Sequence, residues 1–166
     1  MIYLKLFEEF AKSVNKLSGV AVIVEDNILL VLPKKFKRSN IKWSIPKGHI
    51  EGDDSLTSAL KELEEETGVV MDRDYDYKFK VNYKKSGIKK NLEIFVYNKT
   101  REDLVDYMKA NKLALRSKTV KKVLNTGEIY DVQFFPLSDA WDVIEQVQQQ
   151  IIDNIDIGNV YPKKIE

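Results

Sequence analysis

The chain has 166 residues, of which 43% are hydrophobic and 10% aromatic, enough to bury the core of one ordinary domain. Its 27 lysine and arginine residues nearly balance 26 aspartate and glutamate residues, which argues against a polybasic nucleic-acid binder that depends on excess positive charge. Cysteine is absent and His49 is the single histidine, so disulfides, thiolate zinc sites, cysteine nucleophiles and multi-histidine metal sites are excluded.

Hydrophobic periodicity predicts alternating strands and helices in one α/β domain without an internal repeat. β-branched and apolar runs bounded by turn residues predict strands over 18–24, 28–32, 75–84, 91–97 and 129–135. Apolar residues three or four positions apart predict helices over 3–16, 54–67, 100–112 and 140–155. We therefore divide the chain into an N-terminal amphipathic helix (1–17), a central domain (18–155) and a loose C-terminal tail (156–166).

Charge is arranged in blocks along the chain. Six cations and no acid lie from Lys34 to Lys47, and six lysines and no acid lie from Lys78 to Lys90. The stretch from Gly48 to Asp76 carries ten acids and two cations. Each block alone is typical of solvated loops and a solvated helix face. An acidic block between two basic ones also suits a site that holds divalent cations and a polyphosphate together.

The predicted helix over 54–67 gathers carboxylates on one face. A helix turns by about 100° per residue, so Glu62, Glu65 and Glu66 lie together, opposite the leucines of the apolar face. Their mutual repulsion weakens the helix unless a hard divalent cation neutralises it, since such ions prefer oxygen ligands. A glutamate-rich surface helix gives the same pattern, so the helix alone leaves both interpretations open.

Residues 48–69 resemble the Nudix box, G-x5-E-x7-R-E-U-x-E-E-x-G-U, in which U is aliphatic. The matching residues are Gly48, Glu62, Leu63, Glu65, Glu66, Gly68 and Val69. The chain departs from the motif in three ways: the loop is one residue short, Asp53 replaces the first glutamate, and Lys61 replaces the arginine. The resemblance implies an α/β/α sandwich around a mixed central sheet.

The resemblance also implies a pyrophosphohydrolase that acts on a nucleoside diphosphate linked to another moiety. It implies that Glu65 and Glu66 are the primary ligands of Mg²⁺ or Mn²⁺, and that the backbone carbonyl of Gly48 reaches the same ion. Glu62 is implied as a further metal ligand or as the base that activates water. A metal there neutralises the diphosphate and lowers the pKa of a bound water.

Two more candidate catalytic residues follow from the resemblance. Lys61 stands where the family arginine orients a glutamate, and lysine offers a point charge instead of a planar fork. We expect it to hold Glu62 in place and to support slower turnover. Glu128 precedes the last predicted strand, where family members often place another glutamate, although a lone glutamate there is equally typical of a surface.

The substrate class is indicated by the segment Trp43-Ser44-Ile45-Pro46-Lys47-Gly48-His49-Ile50-Glu51. It resembles the corresponding segment of diadenosine tetraphosphate hydrolases and of diphosphoinositol polyphosphate phosphohydrolases. The candidate substrate-binding residues are Lys37, Arg38, Lys47 and Lys90 for phosphate, and Tyr83, or instead Tyr75 or Tyr77, for a base. Aromatic residues that alternate in a strand are more often core.

A dinucleoside polyphosphate such as diadenosine tetraphosphate is the first choice of substrate, and three alternatives stay open. Inositol pyrophosphates follow from the same resemblance, and messenger RNA decapping enzymes share the W-x-x-P-K-G segment, so an RNA 5′ end is a possible partner. A nucleotide-binding sensor without activity is the alternative of another class. Such sensors have usually lost the metal glutamates, whereas Glu62, Glu65 and Glu66 are all present here.

No stretch approaches the roughly 20 apolar residues that a membrane helix needs. The first residues are too charged for a secretory signal. We therefore expect a cytoplasmic protein, a monomer or homodimer that binds a small-molecule polyphosphate and no membrane.

Overall fold

The computed structural model describes residues 15–33, 42–111 and 129–160. Several sequence predictions lie outside these ranges: nearly all of the N-terminal helix over 3–16, the candidate substrate residues Lys37 and Arg38, the candidate catalytic Glu128, and the tail from residue 161. None of the helices within the described ranges has the length and apolarity to cross a membrane. The cytoplasmic location stays a prediction.

Six strands in the described part of the chain form one mixed sheet. They are β1 (Asn15–Val24), β2 (Asn27–Pro33), β3 (Lys47–His49), β4 (Tyr77–Lys85), β5 (Ile88–Lys99) and β6 (Ile129–Pro136). Their order is β4-β5-β1-β2-β6, with β3 paired to β1 off this path. β1 and β5 run parallel in register from Asn15–Lys90 to Val24–Lys99, and the other pairings are antiparallel.

β2 and β3 pair with different parts of the same edge of β1. Ladder pairs between β1 and β2 join Ile23 to Ile28 and Val24 to Asn27, so the same edge of β1 is free further toward its start. β3 takes that place, where Ser18 lies opposite Gly48 and Gly19 opposite Lys47. A Cβ on Gly19 would lie 2.7 Å from the Pro46 carbonyl oxygen, so the close approach of this segment requires glycine.

Helices cover both faces of the sheet. Among the described residues they are α1 (Ser55–Thr67), α2 (Val105–Ala110), α3 (Leu137–Val143) and α4 (Gln149–Val160). Even-numbered residues of β1 pack with Leu63 of α1 and Met108 of α2, and odd-numbered ones pack with Ala140 of α3 and Ile151 of α4. Because both faces of β1 are apolar, both must be covered. The predicted α/β fold with a mixed central sheet is confirmed.

The prediction of one long helix over 140–155 is wrong. Ile144 has an extended backbone, with φ −75° and ψ 152°, and a 3-10 turn over Gln146–Gln148 precedes α4. Trp43 interrupts the helix: its N–H donates to the Val143 carbonyl at 2.9 Å, and its carbonyl accepts from the Glu145 N–H at 2.8 Å. The apolar spacing persists because Ile144 is as buried as Ile151, Ile152 and Ile155 of α4. The apolar spacing over 140–155 therefore identified buried residues, but it did not show whether the helix between them is continuous.

Other boundaries move by a few residues. β1 begins at Asn15, three residues before the predicted strand, and α4 runs to Val160, beyond the predicted end at 155. The helix predicted over 100–112 is a 3-10 turn over Glu102–Leu104 followed by the short α2.

Candidate active site

α1 is the element that presents the glutamates, and both of its ends are capped. Asp54 is the N-cap: its Oδ1 accepts from the Thr57 N–H at 3.1 Å. Arg73 donates to Asp54 Oδ2 at 2.9 Å. Hydrogen bonds from Thr57, and then Arg73, lower the pKa of Asp54 to about 2. Gly68 ends the helix at φ +83°, and its N–H donates to the Glu64 carbonyl at 2.8 Å.

The segment that follows β3 is fastened to α1 by a pair of hydrogen bonds that sequence reasoning missed. The Glu51 N–H donates to Ser58 Oγ at 3.0 Å, and Ser58 Oγ donates to the Glu51 carbonyl at 3.2 Å. Ser58 is buried in α1, one turn before the glutamates. This pair fixes the loop 48–51 over the helix face that carries them.

Gly48 and Glu62, which were predicted to act together, lie in direct contact. A Cβ built on Gly48 would fall 2.3 Å from Cδ of Glu62, closer than any real Cβ contact. Any side chain at this position would have to push the Glu62 carboxyl group aside, so glycine allows the two residues to lie in contact. The Nudix-box glycine thus places backbone atoms directly beside the first helix glutamate.

The three glutamates differ in their exposure. Glu66 is buried, with 8% of its surface exposed, and its Oε1 accepts from the Lys47 N–H at 3.1 Å. Glu62 is partly buried and Glu65 is exposed. A buried carboxylate needs such partners because desolvation disfavours its charge. The most exposed member, Glu65, faces the solvent side of the group.

Lys61 pairs with other acids than the one predicted. Its Nζ lies 3.3 Å from Glu51 Oε2 and 3.9 Å from Glu65 Oε1, with half of each side chain or more exposed. The hydrogen bond to Glu51 contributes most to raising the pKa of Lys61, and the charges of Glu65 and Glu62 contribute less. Lys61 therefore links the loop acid Glu51 to Glu65, and its influence on Glu62 is electrostatic.

The donors are of the kind that a hard divalent cation prefers. The Gly48 carbonyl and the carboxylates of Glu62, Glu65 and Glu66 form an all-oxygen set on one helix face and the adjoining loop. Among the described residues, no three acidic or histidine side chains are placed so that they could hold a metal ion together. The oxygen donors of these residues are nevertheless of the kind that Mg²⁺ or Mn²⁺ prefers, so the residue types present fit such an ion.

A pocket of about 390 Å³ lies at the end of the β4–β5 hairpin. Its lining residues are Asn82, Tyr83, Lys84, Lys89 and Lys90. Tyr83 and Lys90 are direct cross-strand partners, so two of the predicted substrate-binding residues lie side by side. The other candidate tyrosines pack in the core, Tyr75 edge-on to Phe95 at 4.9 Å and Tyr77 stacked on Phe79 at 6.5 Å.

Lys47 connects this pocket with the glutamate helix. Its backbone N–H holds Glu66, while its side chain is within electrostatic reach of Lys85 and Lys90. Burial lowers the pKa of Lys47, the positive charges of Lys85 and Lys90 act in the same direction, and the carboxylates of Glu145 and Glu66 oppose them. Lys47 thus contacts the glutamate face through its backbone, and its side chain is under the electrostatic influence of the hairpin lysines Lys85 and Lys90.

Sequence reasoning missed Glu145, which lies at the break between α3 and α4. It forms an ion pair with Lys85, and its Oε2 accepts from Gln148 Nε2 at 3.2 Å. Gln148 is fully buried and accepts from the Ile45 N–H at 3.1 Å. The sequence signal for this contact was the presence of two polar residues, Glu145 and Gln148, in a segment with regular apolar spacing. That spacing does not indicate which residues they contact.

A second unpredicted contact holds the start of α1 to the sheet. Glu93 of β5 is buried and lies 3.1 Å from Lys78 Nζ. Although burial raises the pKa of Glu93, hydrogen bonds from Ser55 and Lys78 outweigh it and lower the pKa overall. Ser55 is the first residue of α1, so this contact helps to fix the helix that carries the glutamates.

The NUDIX domain family profile matches residues 16–155. The chain therefore belongs to the NUDIX domain family, and the prediction of a Nudix pyrophosphohydrolase is confirmed. Members of the family generally use divalent metal ions. No curated protein sequence matches the chain significantly.

Solved structures share the fold at low sequence identity. The Caenorhabditis elegans Ap4A hydrolase in a binary complex is 15% identical, with a TM-score of 0.59 over 87% of this chain and 98% of its own. A MutT protein from Methanosarcina mazei Go1 is 18% identical, with a TM-score of 0.63 over 91% and 96%. A bifunctional NMN adenylyltransferase/ADP ribose pyrophosphatase of Francisella tularensis, complexed with AMP and a manganese ion, is 15% identical, with a TM-score of 0.60 over 93% and 46%.

Proposed function

We propose that this protein hydrolyses a pyrophosphate bond in a substrate with three or more phosphates, with a dinucleoside polyphosphate such as diadenosine tetraphosphate as the first choice. The observation that carries the proposal concerns Lys47, at the junction of the two charged regions: its N–H donates to Glu66 of α1, and the charges of Lys85 and Lys90 of the hairpin act on its ammonium group. A polyphosphate chain can lie across this junction, with one end at the glutamates and the other among the lysines.

The residues that would hold a Mg²⁺ or Mn²⁺ ion are Gly48, through its carbonyl, and Glu62, Glu65 and Glu66. When bound, the ion supplies positive charge that offsets the substrate phosphates and helps to activate water for attack. Glu66 is buried and accepts from the Lys47 N–H, whereas Glu65 is exposed and pairs with Lys61.

The chain's own side chains supply positioning and proton transfer. Glu62, wedged against Gly48, accepts the proton of the attacking water or adds a further oxygen ligand. Lys61 holds Glu65 and the loop acid Glu51 in place. Water adds to phosphorus, the bridging P–O bond breaks, and the departing phosphate takes a proton from solvent.

The remaining phosphates extend toward the β4–β5 hairpin. Lys90 offers a cation at the pocket, and Lys47 offers another nearer the glutamates. Lys37 and Arg38 are proposed to add further phosphate contacts from the first basic block. Tyr83, half-buried beside Lys90, offers an aromatic face for a base. Burial, and then the charge of Glu145, raises the pKa of Tyr83 to about 12, so it stays an uncharged phenol near phosphate.

A hydrolysis screen tests the proposal. The substrates are diadenosine tetraphosphate, an inositol pyrophosphate, capped and triphosphorylated RNA, a nucleoside triphosphate, a nucleotide sugar and ADP-ribose, each with Mg²⁺ or Mn²⁺. We expect the highest kcat/KM for diadenosine tetraphosphate and none after chelation. A preference for ADP-ribose or a nucleotide sugar contradicts the substrate class. Tight binding without turnover of any compound supports the sensor instead.

A further inference from the structure

Glu145 is held in place by both its backbone and its side chain. Its N–H donates to the Trp43 carbonyl at 2.8 Å, which pins it where the chain leaves α3. One carboxyl oxygen pairs with Lys85 and the other accepts from Gln148 Nε2 at 3.2 Å. Its side chain is 14% exposed. The backbone contact and the two carboxyl contacts together restrict the position of this carboxylate.

This carboxylate faces the cations that lead into the basic pocket. It pairs directly with Lys85, the last residue of β4, and its charge is the strongest electrostatic influence on Lys47. It also acts on the Tyr83 side chain, which lines the pocket itself. Lys85 therefore already has an acidic partner, and the same carboxylate acts electrostatically on Lys47.

We propose that Glu145 is a positioning residue that sets the affinity for polyphosphate by competing with it for Lys47 and Lys85. The inference rests on the proposed function. An incoming phosphate gains less from a lysine whose charge is already offset by a carboxylate, and it meets the repulsion of that carboxylate as well. Glu145 thereby selects substrates whose charge is high enough to draw the lysines away from it.

Substituting Glu145 by glutamine removes the charge and keeps the shape of the side chain. Glu145→Gln is expected to lower KM for diadenosine tetraphosphate by roughly three- to tenfold at low salt and to change kcat by less than about twofold. Glu145→Asp restores the charge and is expected to return KM toward the wild-type value. The matched control is Asp142→Asn, which removes one exposed acid on α3 three residues earlier and leaves KM unchanged.

Binding of inorganic tripolyphosphate, measured by calorimetry on the full chain without turnover, separates this inference from the proposed function. Glu145→Gln should bind tripolyphosphate more tightly than wild type, with a gain that shrinks as salt is added, and Lys85→Gln should bind it more weakly. In the double variant Lys85→Gln/Glu145→Gln, most of the increase in tripolyphosphate affinity caused by Glu145→Gln should be lost.

Unchanged or weaker tripolyphosphate binding by Glu145→Gln overturns the inference, as does an equal gain in Asp142→Asn. If Glu145→Gln does not fold, the Lys85→Gln variant provides the test by itself. If Lys85→Gln binds tripolyphosphate as tightly as wild type does, polyphosphate does not compete with Glu145 for Lys85. Absence of hydrolysis in the presence of these binding differences contradicts only the proposed function.

Discussion

The backbone N–H of Lys47 donates to Oε1 of Glu66 at 3.1 Å, which ties β3 to the buried end of the glutamate face. The charges of Glu145, Glu66, Lys85 and Lys90 act on the side-chain ammonium group of the same lysine. Movement of β3 would therefore displace the Glu66 carboxylate and the Lys47 side chain together. This coupling explains how a short strand of three residues can organise both parts of the site.

Glu66→Gln is expected to lower kcat roughly 10²-fold or more, equivalent to about 3 kcal/mol of lost transition-state stabilisation. The glutamine carbonyl can still accept from the Lys47 N–H, so the fold should be retained. Glu65→Gln should show a similar loss, and the adjacent exposed Glu64→Gln serves as control. Steady-state kinetics with and without chelator check this, and near-normal turnover of both variants would refute the metal assignment.

Gly48→Ala is expected to destabilise the fold by about 1 kcal/mol, because the new Cβ overlaps the Glu62 carboxyl group and that side chain must change its rotamer. The free energy of unfolding, measured by urea denaturation, reports the loss. In a Glu62→Ala background the same substitution should cost much less, because the clashing group has gone. Equal destabilisation in both backgrounds would show that the contact is not the cause.

Lys61→Arg is expected to hold or raise kcat, and Lys61→Ala to reduce it, because either cation can hold Glu51 and Glu65 while arginine supplies the better fork. Thermal unfolding should be nearly unchanged in both, since the pairs are exposed. Glu51→Gln should lower kcat in wild type and have little further effect in Lys61→Ala. Normal turnover of Lys61→Ala would contradict the orienting role and would show that Lys61 is only a residue of the helix surface.

Asp54→Asn is expected to reduce stability in a pH-dependent way. The pKa of Asp54 is about 2 in the folded chain, against about 3.9 when unfolded, so its charge stabilises the fold above about pH 4. That contribution is lost as the pH falls through about 2. Asparagine still accepts from the Thr57 N–H but has no charge for Arg73. The difference in urea midpoint between wild type and variant should therefore shrink between about pH 5 and pH 3, and a constant difference would contradict the assignment.

The helix that carries the site could be predicted because its signals are local. Its apolar spacing, the cap at Asp54 and the stop at Gly68 all lie within residues 54–68, and the glutamate face follows from helix geometry alone. Such features depend on neighbours in sequence. The pairing of Tyr83 with Lys90 was not predicted, because the second strand was expected to begin only at residue 91.

The contacts that sequence reasoning missed join distant segments. The break at Ile144 depends on Trp43, about a hundred residues earlier, and no local propensity encodes that bridge. Glu145 likewise meets Lys85 only after the sheet and both flanking helices have formed. The partner of Lys61 was assigned wrongly for the same reason, because Glu51 reaches it through a loop folded back onto α1.

The central claim is that the glutamates of α1 and the lysines of the hairpin pocket act on one polyphosphate substrate. The most direct measurement is the salt dependence of kcat and KM for diadenosine tetraphosphate in wild type, in Lys90→Ala and in the control Lys109→Ala, an exposed lysine on α2. Charge attraction is screened over about 8 Å at physiological ionic strength, so KM should rise with salt, more steeply than for ADP-ribose. Lys90→Ala should raise KM, flatten that rise and leave kcat nearly unchanged, while Lys109→Ala behaves as wild type. The account would be contradicted if KM changed neither with salt nor in Lys90→Ala and the enzyme preferred ADP-ribose.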